Sequence, residues 1–169
     1  TGILAKYLIS RGHKVTWWTS NFAHKNKVFR GSSSTSAKDK TGIDFKLLPT
    51  PSYKKNISFG RFWNHRVAGK ELAKQLRSNP NPDLIYTAFP TIDTAYAAAQ
   101  FGRQNQIPVI IDARDQWPEV IVDQFPKPVR VIAQLLLRRY FKMAEEAFSD
   151  SYAITGISKG FLNYGLHKS

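Results

Sequence analysis

The chain has 169 residues, of which 42% are hydrophobic and 13% are aromatic, and it contains no cysteine. This composition predicts a folded globular chain with one sizeable core, and it excludes disulfides and thiolate metal sites. Lys and Arg total 25 against 12 Asp and Glu, so the formal net charge is +13. An excess of this size attracts polyanions such as nucleic acid, anionic lipid or phosphate-bearing substrates.

The positive charge is concentrated in the first half of the sequence. Residues 1–80 hold 16 basic and 3 acidic side chains, whereas residues 81–169 hold 9 of each. The alternative to a polyanionic partner is a solvated basic surface that serves solubility. Lys6 and Arg11 interrupt the first apolar stretch, which argues against a signal peptide, and no run is long and apolar enough to suggest a membrane span. Together with the lack of cysteine, this favours a cytoplasmic protein.

Periodicity in the first half predicts two helices and two strands. The helices cover residues 3–9 and 59–76, the strands cover 15–20 and 43–48, and the polar, serine-rich stretch 21–42 is predicted to be a loop. Gly12 lies where the first helix should end, since glycine tolerates the left-handed conformation that follows many helices.

The second half alternates strands and helices more regularly. Strands are predicted at 83–89, 107–112 and 153–158, and helices at 91–105, 129–148 and from 159 onwards. Such alternation predicts an α/β fold in which a Rossmann-like parallel sheet is covered by helices on both faces. No repeat or linker divides the sequence, so residues 1–169 are expected to form one domain.

Ligands of open parallel sheets bind where strands end and loops begin, and two such places stand out. At Phe89 and Thr91 a strand turns into a helix, whose first N–H groups and the Thr91 hydroxyl could hold an anionic or hydroxyl-rich ligand. Simple capping of the helix by Thr91 is the alternative.

The second place is the stretch from Asp112 to Glu119, which follows an almost wholly apolar strand. Asp112 or Asp115 could orient and partly deprotonate a ligand hydroxyl, and Arg114 suits a phosphate. Trp117 offers a flat apolar face to a ring of the ligand, and Glu119 adds a further carboxylate that could bind it. The alternative is that an aspartate pairs with Arg114 and that Trp117 packs in the core.

Two helical segments combine basic and apolar residues. Arg61 and Arg66 belong to a basic, aromatic stretch over residues 54–77 that could meet an acceptor or lipid headgroups, or form a solvated helix face. The helix over 129–148 carries an apolar stripe beside basic side chains, a pattern typical of membrane-surface helices and also of ordinary core helices. The stripe consists of Val129, Ile132, Leu136, Tyr140 and Met143.

Several signatures are missing from the sequence. The four histidines, at positions 13, 24, 65 and 167, include no pair at metal-ligand spacing. No phosphate-binding Walker loop, no Gly-x-Gly-x-x-Gly after a strand and no serine-nucleophile elbow is present. The sequence therefore predicts neither a metal site nor a cofactor.

Four stretches in the same order resemble glycosyltransferase family 4 and cover nearly the whole chain. They are Leu4–Leu8 with Arg11–Thr16, Asp83–Tyr86 with Phe89–Pro90, Ile111–Glu119, and Ile154–Phe161. The third of them is similar to a motif of the family's bacterial surface-polysaccharide branch. The resemblance implies the N-terminal, acceptor-side half of a GT-B fold. The family's first strand with its glycine-rich turn and the donor-binding C-terminal domain have no counterpart here.

The resemblance also implies a function. The expected activity is retaining, metal-independent transfer of a hexosyl group from a nucleotide-sugar donor, held mainly by the C-terminal domain, to a lipid-linked or glycan acceptor in surface-polysaccharide or lipopolysaccharide assembly. The implied place is the cytoplasm, as a peripheral protein on the inner face of an anionic membrane, and the chain alone is expected to be inactive. Two alternatives stay open, a basic nucleic-acid-binding module and one half of a GT-B sugar-nucleotide epimerase. No nucleic-acid partner is expected in the main interpretation.

Overall fold

The computed structural model describes residues 2–30, 37–38, 40–55 and 58–169. They form two compact units that divide between Ala68 and Gly69, inside a helix. Each unit is described below by itself. The predicted single domain over residues 1–169 stays a prediction.

The first unit is built around a small mixed sheet. Its elements are α1 (Gly2–Ser10), β1 (Thr16–Ser20), β2 (Phe22–Ala23), β3 (Val28–Phe29), β4 (Ala37–Lys38), β5 (Asp44–Leu48) and the first half of α2 (Phe59–Ser78). β5 lies between β1, with which it is parallel, and β4, with which it is antiparallel. Trp17 and Phe45 face each other across the β1–β5 pair, and their rings stack at 5.5 Å between centroids. Such cross-strand aromatic pairs stabilise a sheet.

Helix α1 follows the predicted bounds but not the predicted burial. It ends before Gly12, whose φ of +86° is the left-handed conformation expected there. Ala5 is the buried residue of α1, while Ile3, Leu4 and Tyr7 are exposed. Three apolar side chains of α1 therefore face away from the core of the unit, whereas Leu8 and Ile9 are half-buried.

The prediction of a loop over residues 21–42 is wrong for part of that stretch. β2 and β3 pair in an antiparallel hairpin, in which Phe22 contacts Phe29 edge-on at 5.4 Å, and β4 adds to the sheet. The hairpin is too short to give a periodic signal, which is why polarity dominated the prediction. Residues 31–36 and 39, which include all four serines of this stretch, lie outside the described residues.

The second unit contains a three-stranded parallel sheet. After the end of α2 come β6 (Ile85–Phe89), α3 (Ile92–Asn105), β7 (Val109–Ala113), α4 (Glu119–Asp123), α5 (Lys127–Ser149), β8 (Ala153–Gly156) and α6 (Lys159–Leu166). β7 is the central strand, between β6 and β8. Its residues Val109–Ala113 are buried or half-buried, as expected for an apolar strand in a parallel sheet.

Helices α3, α5 and α6 pack against this sheet. Phe89 of β6 lies 4.9 Å from Phe148 of α5 and 6.2 Å from Tyr164 of α6, measured between ring centroids. α3 approaches β7 closely at Gly102, and α6 approaches β8 at Gly165. The confirmed fold class is therefore α/β, with a parallel sheet and helices packed against it, as in a Rossmann-like half of a GT-B fold.

Most predicted elements of this unit are present, with bounds shifted by at most two residues. α4 was not predicted, because Glu119–Asp123 forms little more than one turn and follows a proline. α5 begins at Lys127 and not at Val129, because Pro128 fits the first turn of a helix, where no N–H partner is needed. No helix in the described part of the chain is long and apolar enough to cross a membrane.

The close approach at Gly102 gives a packing prediction. A Cβ at this position would lie 2.7 Å from the Ile107 carbonyl oxygen and would also meet the Val109 side chain. We expect Gly102→Ala to lower the free energy of unfolding by about 1–3 kcal/mol, because overpacking forces the backbone to shift. Urea unfolding followed by tryptophan fluorescence measures this.

Gly160→Ala in α6 is the matched control. A Cβ there would meet Ser158 Oγ at an ordinary 3.7 Å. This change should be neutral or mildly stabilising, because alanine favours helices. Equal losses of stability in the two variants would contradict the proposed close packing of α3 on β7.

Candidate functional site

The three strands of the second unit end side by side. Ala88, Asp112 and Thr155 lie in register across β6, β7 and β8, and Phe89, Ala113 and Gly156 form the next row. Because the strands are parallel, the segments that follow them leave from the same edge of the sheet. The predicted position of residues 114–119 at the carboxyl edge is therefore confirmed.

Asp112 is the most enclosed charged group at this edge, with 5% of its surface exposed. Thr155 Oγ1 donates a hydrogen bond to Asp112 Oδ1 over 3.1 Å, and Arg114 Nε donates to Oδ2 over 2.5 Å. The Arg114 guanidinium also forms an ion pair with the same carboxylate. The side chain of Asp112 thus connects its own strand to β8 and to the loop that follows β7.

These partners keep Asp112 ionised. Burial by itself raises the pKa of the carboxyl, but hydrogen bonds from Arg114, Tyr86 and Thr155 and the charge of Arg114 outweigh it, so the pKa lies below its ordinary value. A carboxylate whose oxygens already accept from several donors is a weak base toward a further hydroxyl. Pairing of Asp112 with Arg114, one of the two alternatives from the sequence, is what the structure shows.

Asp115 has fewer hydrogen-bond and ion-pair partners than Asp112. Its Oδ1 accepts a hydrogen bond from the Gln116 backbone N–H over 2.9 Å, and its side chain is half-buried. Asp115 forms no ion pair with any residue that the structure describes. Of the two carboxylates considered from the sequence, Asp115 is the one with capacity to accept a hydrogen bond from a ligand.

Phe89 and Trp117 are core residues. Phe89 is fully buried against Phe148, and Trp117 is 5% exposed. Neither ring presents a free face to a ligand. The Arg114 backbone N–H donates to the Phe89 carbonyl over 3.2 Å, which joins the segments that follow β6 and β7. Phe89 and Trp117 therefore stabilise the carboxyl edge of the sheet as part of the core.

Glu119 is held by two partners from the last helix and the residues after it. The Tyr164 hydroxyl lies 2.7 Å from Glu119 Oε2 and also hydrogen-bonds the Trp117 carbonyl oxygen. Lys168 Nζ forms an ion pair with Glu119 Oε1 at 2.7 Å, and the lysine side chain is 11% exposed. Burial, followed by the neighbouring Glu119 carboxylate, raises the pKa of Tyr164 far above its ordinary value, so its hydroxyl remains protonated.

A groove of about 370 Å³ lies beside this loop. Gln116 and Glu119 form one side of it, and Asn163 and His167 belong to the other. Amide, imidazole and carboxylate groups are suited to hydrogen-bonding the hydroxyl groups of a carbohydrate. The groove thus combines the end of a parallel strand with polar side chains that converge on one space.

Thr91 stands at the cap position of α3, but its hydroxyl does not form a capping hydrogen bond. Its carbonyl accepts from the backbone N–H groups of Thr94 and Ala95. The Thr91 hydroxyl therefore does not cap α3, so the alternative of simple capping is wrong.

Arg61 and Arg66 belong to the first unit, where both lie on α2 and are half-buried. Arg61 Nε donates a hydrogen bond to His65 Nε2 over 3.4 Å. Next to them, His24 Nδ1 lies 2.6 Å from the Tyr53 hydroxyl, and Lys27 Nζ lies 4.4 Å from the centre of the Tyr53 ring. Two histidines that are far apart in the sequence thus share one positively charged environment in this unit.

Sequence reasoning missed the partners of the site carboxylates. Thr155 is 43 residues from Asp112 and Tyr164 is 45 residues from Glu119. Thr155 lies in the stretch Ile154–Phe161 that resembles the family, but the resemblance does not indicate which side chain Thr155 contacts, and Tyr164 belongs to none of the four stretches. Ser158, which caps α6 by accepting from the Phe161 N–H, was a readable signal that placed the helix carrying Tyr164. In the described residues, no group of three or more His, Cys, Asp or Glu side chains could hold a metal ion.

Removal of the Tyr164 hydroxyl tests the attachment of Glu119. We expect Tyr164→Phe to lower the free energy of unfolding by about 1–3 kcal/mol, because the Trp117 carbonyl and the Glu119 carboxylate, both part-buried, each lose a hydrogen bond. Chemical denaturation measures the loss. Tyr152→Phe is the control, since Tyr152 is 79% exposed and should tolerate the change. Unchanged stability of Tyr164→Phe would contradict the structural role of the hydroxyl.

His65 predicts a pH dependence of stability. Burial, followed by the charges of Arg61 and His24, lowers its pKa from 6.5 to about 3. Between these pH values the unfolded chain binds the proton and the folded chain does not, so stability falls as the pH falls through this window. From pH 7 to pH 5 the loss from this group is about 2 kcal/mol.

His65→Gln should remove this part of the pH dependence. Urea unfolding at pH 7 and pH 5 compares the two proteins, and the imidazole proton signals assigned to His65 in the parent chain should not titrate above pH 5. A protonation midpoint near 6.5 for His65 in the folded chain would show that the imidazole is not held neutral.

Comparison with known protein families gives a match over most of the chain. No curated protein matches the sequence. The family model described as Glycosyltransferase Family 4 matches residues 2–155, which is most of the chain and includes β1, β5 and the parallel sheet of the second unit. The chain therefore belongs to glycosyltransferase family 4, a family of retaining glycosyltransferases whose members use a nucleotide-sugar donor.

Proposed function

We propose that residues 1–169 are the acceptor-side domain of a glycosyltransferase of surface-polysaccharide assembly. The enzyme would move a hexosyl group from a nucleotide sugar to a lipid-linked or glycan acceptor. Family membership supports transfer over the two alternatives, the nucleic-acid-binding module and the epimerase half. The observation that carries the choice of site is that residues 114–119 leave the carboxyl edge of a parallel sheet beside a polar groove.

The proposed acceptor site is a loop fixed at both ends. At its start, Arg114 is bound to the buried Asp112, and at its end, Glu119 is bound to Lys168 and Tyr164. A loop held in this way can orient an acceptor without first becoming ordered, which reduces the entropic cost of binding. Between the two attachments, Asp115 and Gln116 are the residues that we propose contact the acceptor.

Asp115 is the group that we propose orients the attacking hydroxyl. An acceptor oxygen can attack an anomeric carbon only when its O–H points toward an acceptor of the proton. Asp112 is already occupied by Arg114 and Thr155, so we propose that it positions Arg114 and does not touch the acceptor.

Positive side chains would bind the phosphate part of a lipid-linked acceptor. We propose that Arg114, whose side chain is 34% exposed, contributes positive charge to the phosphate. For Arg61 and Arg66, which belong to the first unit, contact with an acceptor stays a prediction from the sequence. Thr91 would add a hydroxyl contact, whereas Phe89 and Trp117 support the site from below.

We propose that the enzyme acts at the cytoplasmic face of a membrane. Nucleotide sugars supply the donor and lipid-linked sugars lie in the bilayer, so a transferase that joins them must work at the bilayer surface. The absence of cysteine is consistent with a reducing compartment.

Binding of an acceptor analogue tests the proposal separately from turnover. The probe is a short prenyl diphosphate carrying one N-acetylglucosamine, compared with inorganic diphosphate by isothermal titration calorimetry. We expect Asp115→Asn to weaken binding of the sugar-bearing probe about tenfold, because one charge-assisted hydrogen bond is lost, and to leave diphosphate binding unchanged. Asp83→Asn, at an exposed carboxylate outside the loop, is the control.

Three results would contradict the proposal. Equal affinity of the chain for inorganic diphosphate and for the sugar-bearing probe would remove the acceptor site. Consumption of a nucleotide sugar without any acceptor would favour the epimerase. A salt-dependent shift of random DNA without binding of the probe would favour the nucleic-acid-binding module.

A further inference from the structure

The first half of α5 exposes a continuous apolar surface. Four large aliphatic side chains form it, and we call them the α5 apolar face. They are Val131, Ile132, Leu135 and Leu136, with exposed fractions of 70%, 58%, 65% and 77%. Because these residues are spaced by one, four and five positions, they form a single stripe over about one and a half turns. Single exposed aliphatic residues are ordinary, but four that adjoin one another mark an interaction surface.

The rest of α5 shows which side of the helix faces the protein. Met143, Ala144, Ala147 and Phe148 are buried in the second half, whereas Ala133 is the buried side chain in the described stretch 127–142. The helix is thus embedded at its C-terminal end and largely exposed at its N-terminal end. The α5 apolar face lies on the part that extends from the core.

Basic residues continue the same stripe toward the core. We call Arg138, Arg139 and Lys142 the basic collar. Arg139 lies four residues after Leu135 and Lys142 lies seven residues after it, which places them on the same side of the helix. Arg138 and Arg139 form no ion pair among the residues that the structure describes, while Lys142 lies 3.6 Å from Glu146.

The segment 127–142 is strongly basic, although residues 81–169 together have no net charge. Residues 127–142 contain five basic side chains and no acidic one. A second copy of the chain packed on the α5 apolar face would bring two such segments together, and their like charges would repel. An anionic lipid surface has the opposite sign, and its acyl boundary accepts the aliphatic side chains.

We propose that α5 docks this protein on an anionic membrane. The α5 apolar face enters the boundary between headgroups and acyl chains, and the basic collar remains at the level of the phosphates. The helix lies in the interface, consistent with the finding that no described helix could span a bilayer. The docking rests on the membrane location proposed above, but surface composition and charge support it without the chemistry proposed for the acceptor site.

Co-sedimentation of the chain with lipid vesicles tests the proposal. One set contains phosphatidylcholine with about one-third phosphatidylglycerol, and the other contains phosphatidylcholine alone. We expect binding to the anionic set at least tenfold tighter than to the neutral set and strongly reduced at high salt. Leu135→Gln with Leu136→Gln should weaken binding to the anionic vesicles at least tenfold, and Arg138→Gln with Arg139→Gln should do the same.

Two control variants separate docking from general effects. Leu84→Gln with Tyr152→Gln replaces two exposed apolar residues elsewhere in the second unit and should bind as the parent does. Arg138→Lys with Arg139→Lys keeps the charge and should retain most of the affinity. All replaced side chains are exposed, so unfolding transitions close to that of the parent are expected and verify the fold.

Three outcomes would overturn the proposal. The first is undiminished vesicle binding by the Leu135→Gln, Leu136→Gln variant. The second is equal binding to neutral and anionic vesicles. The third is a dimer, detected by light scattering, that the same leucine variant abolishes, because the α5 apolar face would then be occupied by a second copy.

Discussion

The buried carboxylate of Asp112 is the interaction on which the carboxyl edge of the second unit depends. It accepts hydrogen bonds from Thr155 of β8 and from Arg114 of the following loop, and Tyr86 of β6 contributes a further hydrogen bond. A buried charge is tolerable only when its partners replace the lost water. The ends of the three parallel strands must therefore stay in register to supply the hydrogen bonds of the Asp112 carboxylate. Asp112 in turn fixes where the loop begins.

The residues of the loop differ in how many hydrogen-bond and ion-pair partners they already have. Asp112 and Glu119 are both paired with a cation, and both have a hydroxyl partner on a neighbouring element. Neither carboxylate can leave its partners without exposing a buried charge or an unsatisfied donor. Asp115 and Gln116, between them, carry fewer such obligations. The segment from Asp112 to Glu119 has eight residues. Its two ends are fixed by their partners, and its middle residues can contact a ligand.

The sequence was informative where local pattern and fold agree, and uninformative where long-range contacts decide. The apolar run Val109–Ala113 predicted a buried parallel strand, and the alternation of strands and helices predicted the fold class. It left open whether Asp112 or Asp115 faces a ligand, because the answer depends on Thr155 and on the orientation of Arg114. The burial of Trp117 was equally open, since a tryptophan after a strand suits both a core and a sugar-binding surface. Short elements such as β2, β3 and α4 contain too few residues for a period to be recognised.

Helix α5 shows why periodicity alone does not separate a core face from a docking face. The stripe inferred from the sequence joined Val129, Ile132, Leu136, Tyr140 and Met143, yet Met143 is buried while Ile132 and Leu136 are exposed. The helix has apolar residues on more than one side, so the direction of its inner face follows from tertiary packing, set by Phe148 against Phe89 and Tyr164. Once that direction is fixed, Val131 and Leu135 are found on the outer side together with Arg138 and Arg139. This surface combines exposed aliphatic side chains with guanidinium groups that form no ion pair among the described residues. It is complementary in both respects to an anionic lipid interface.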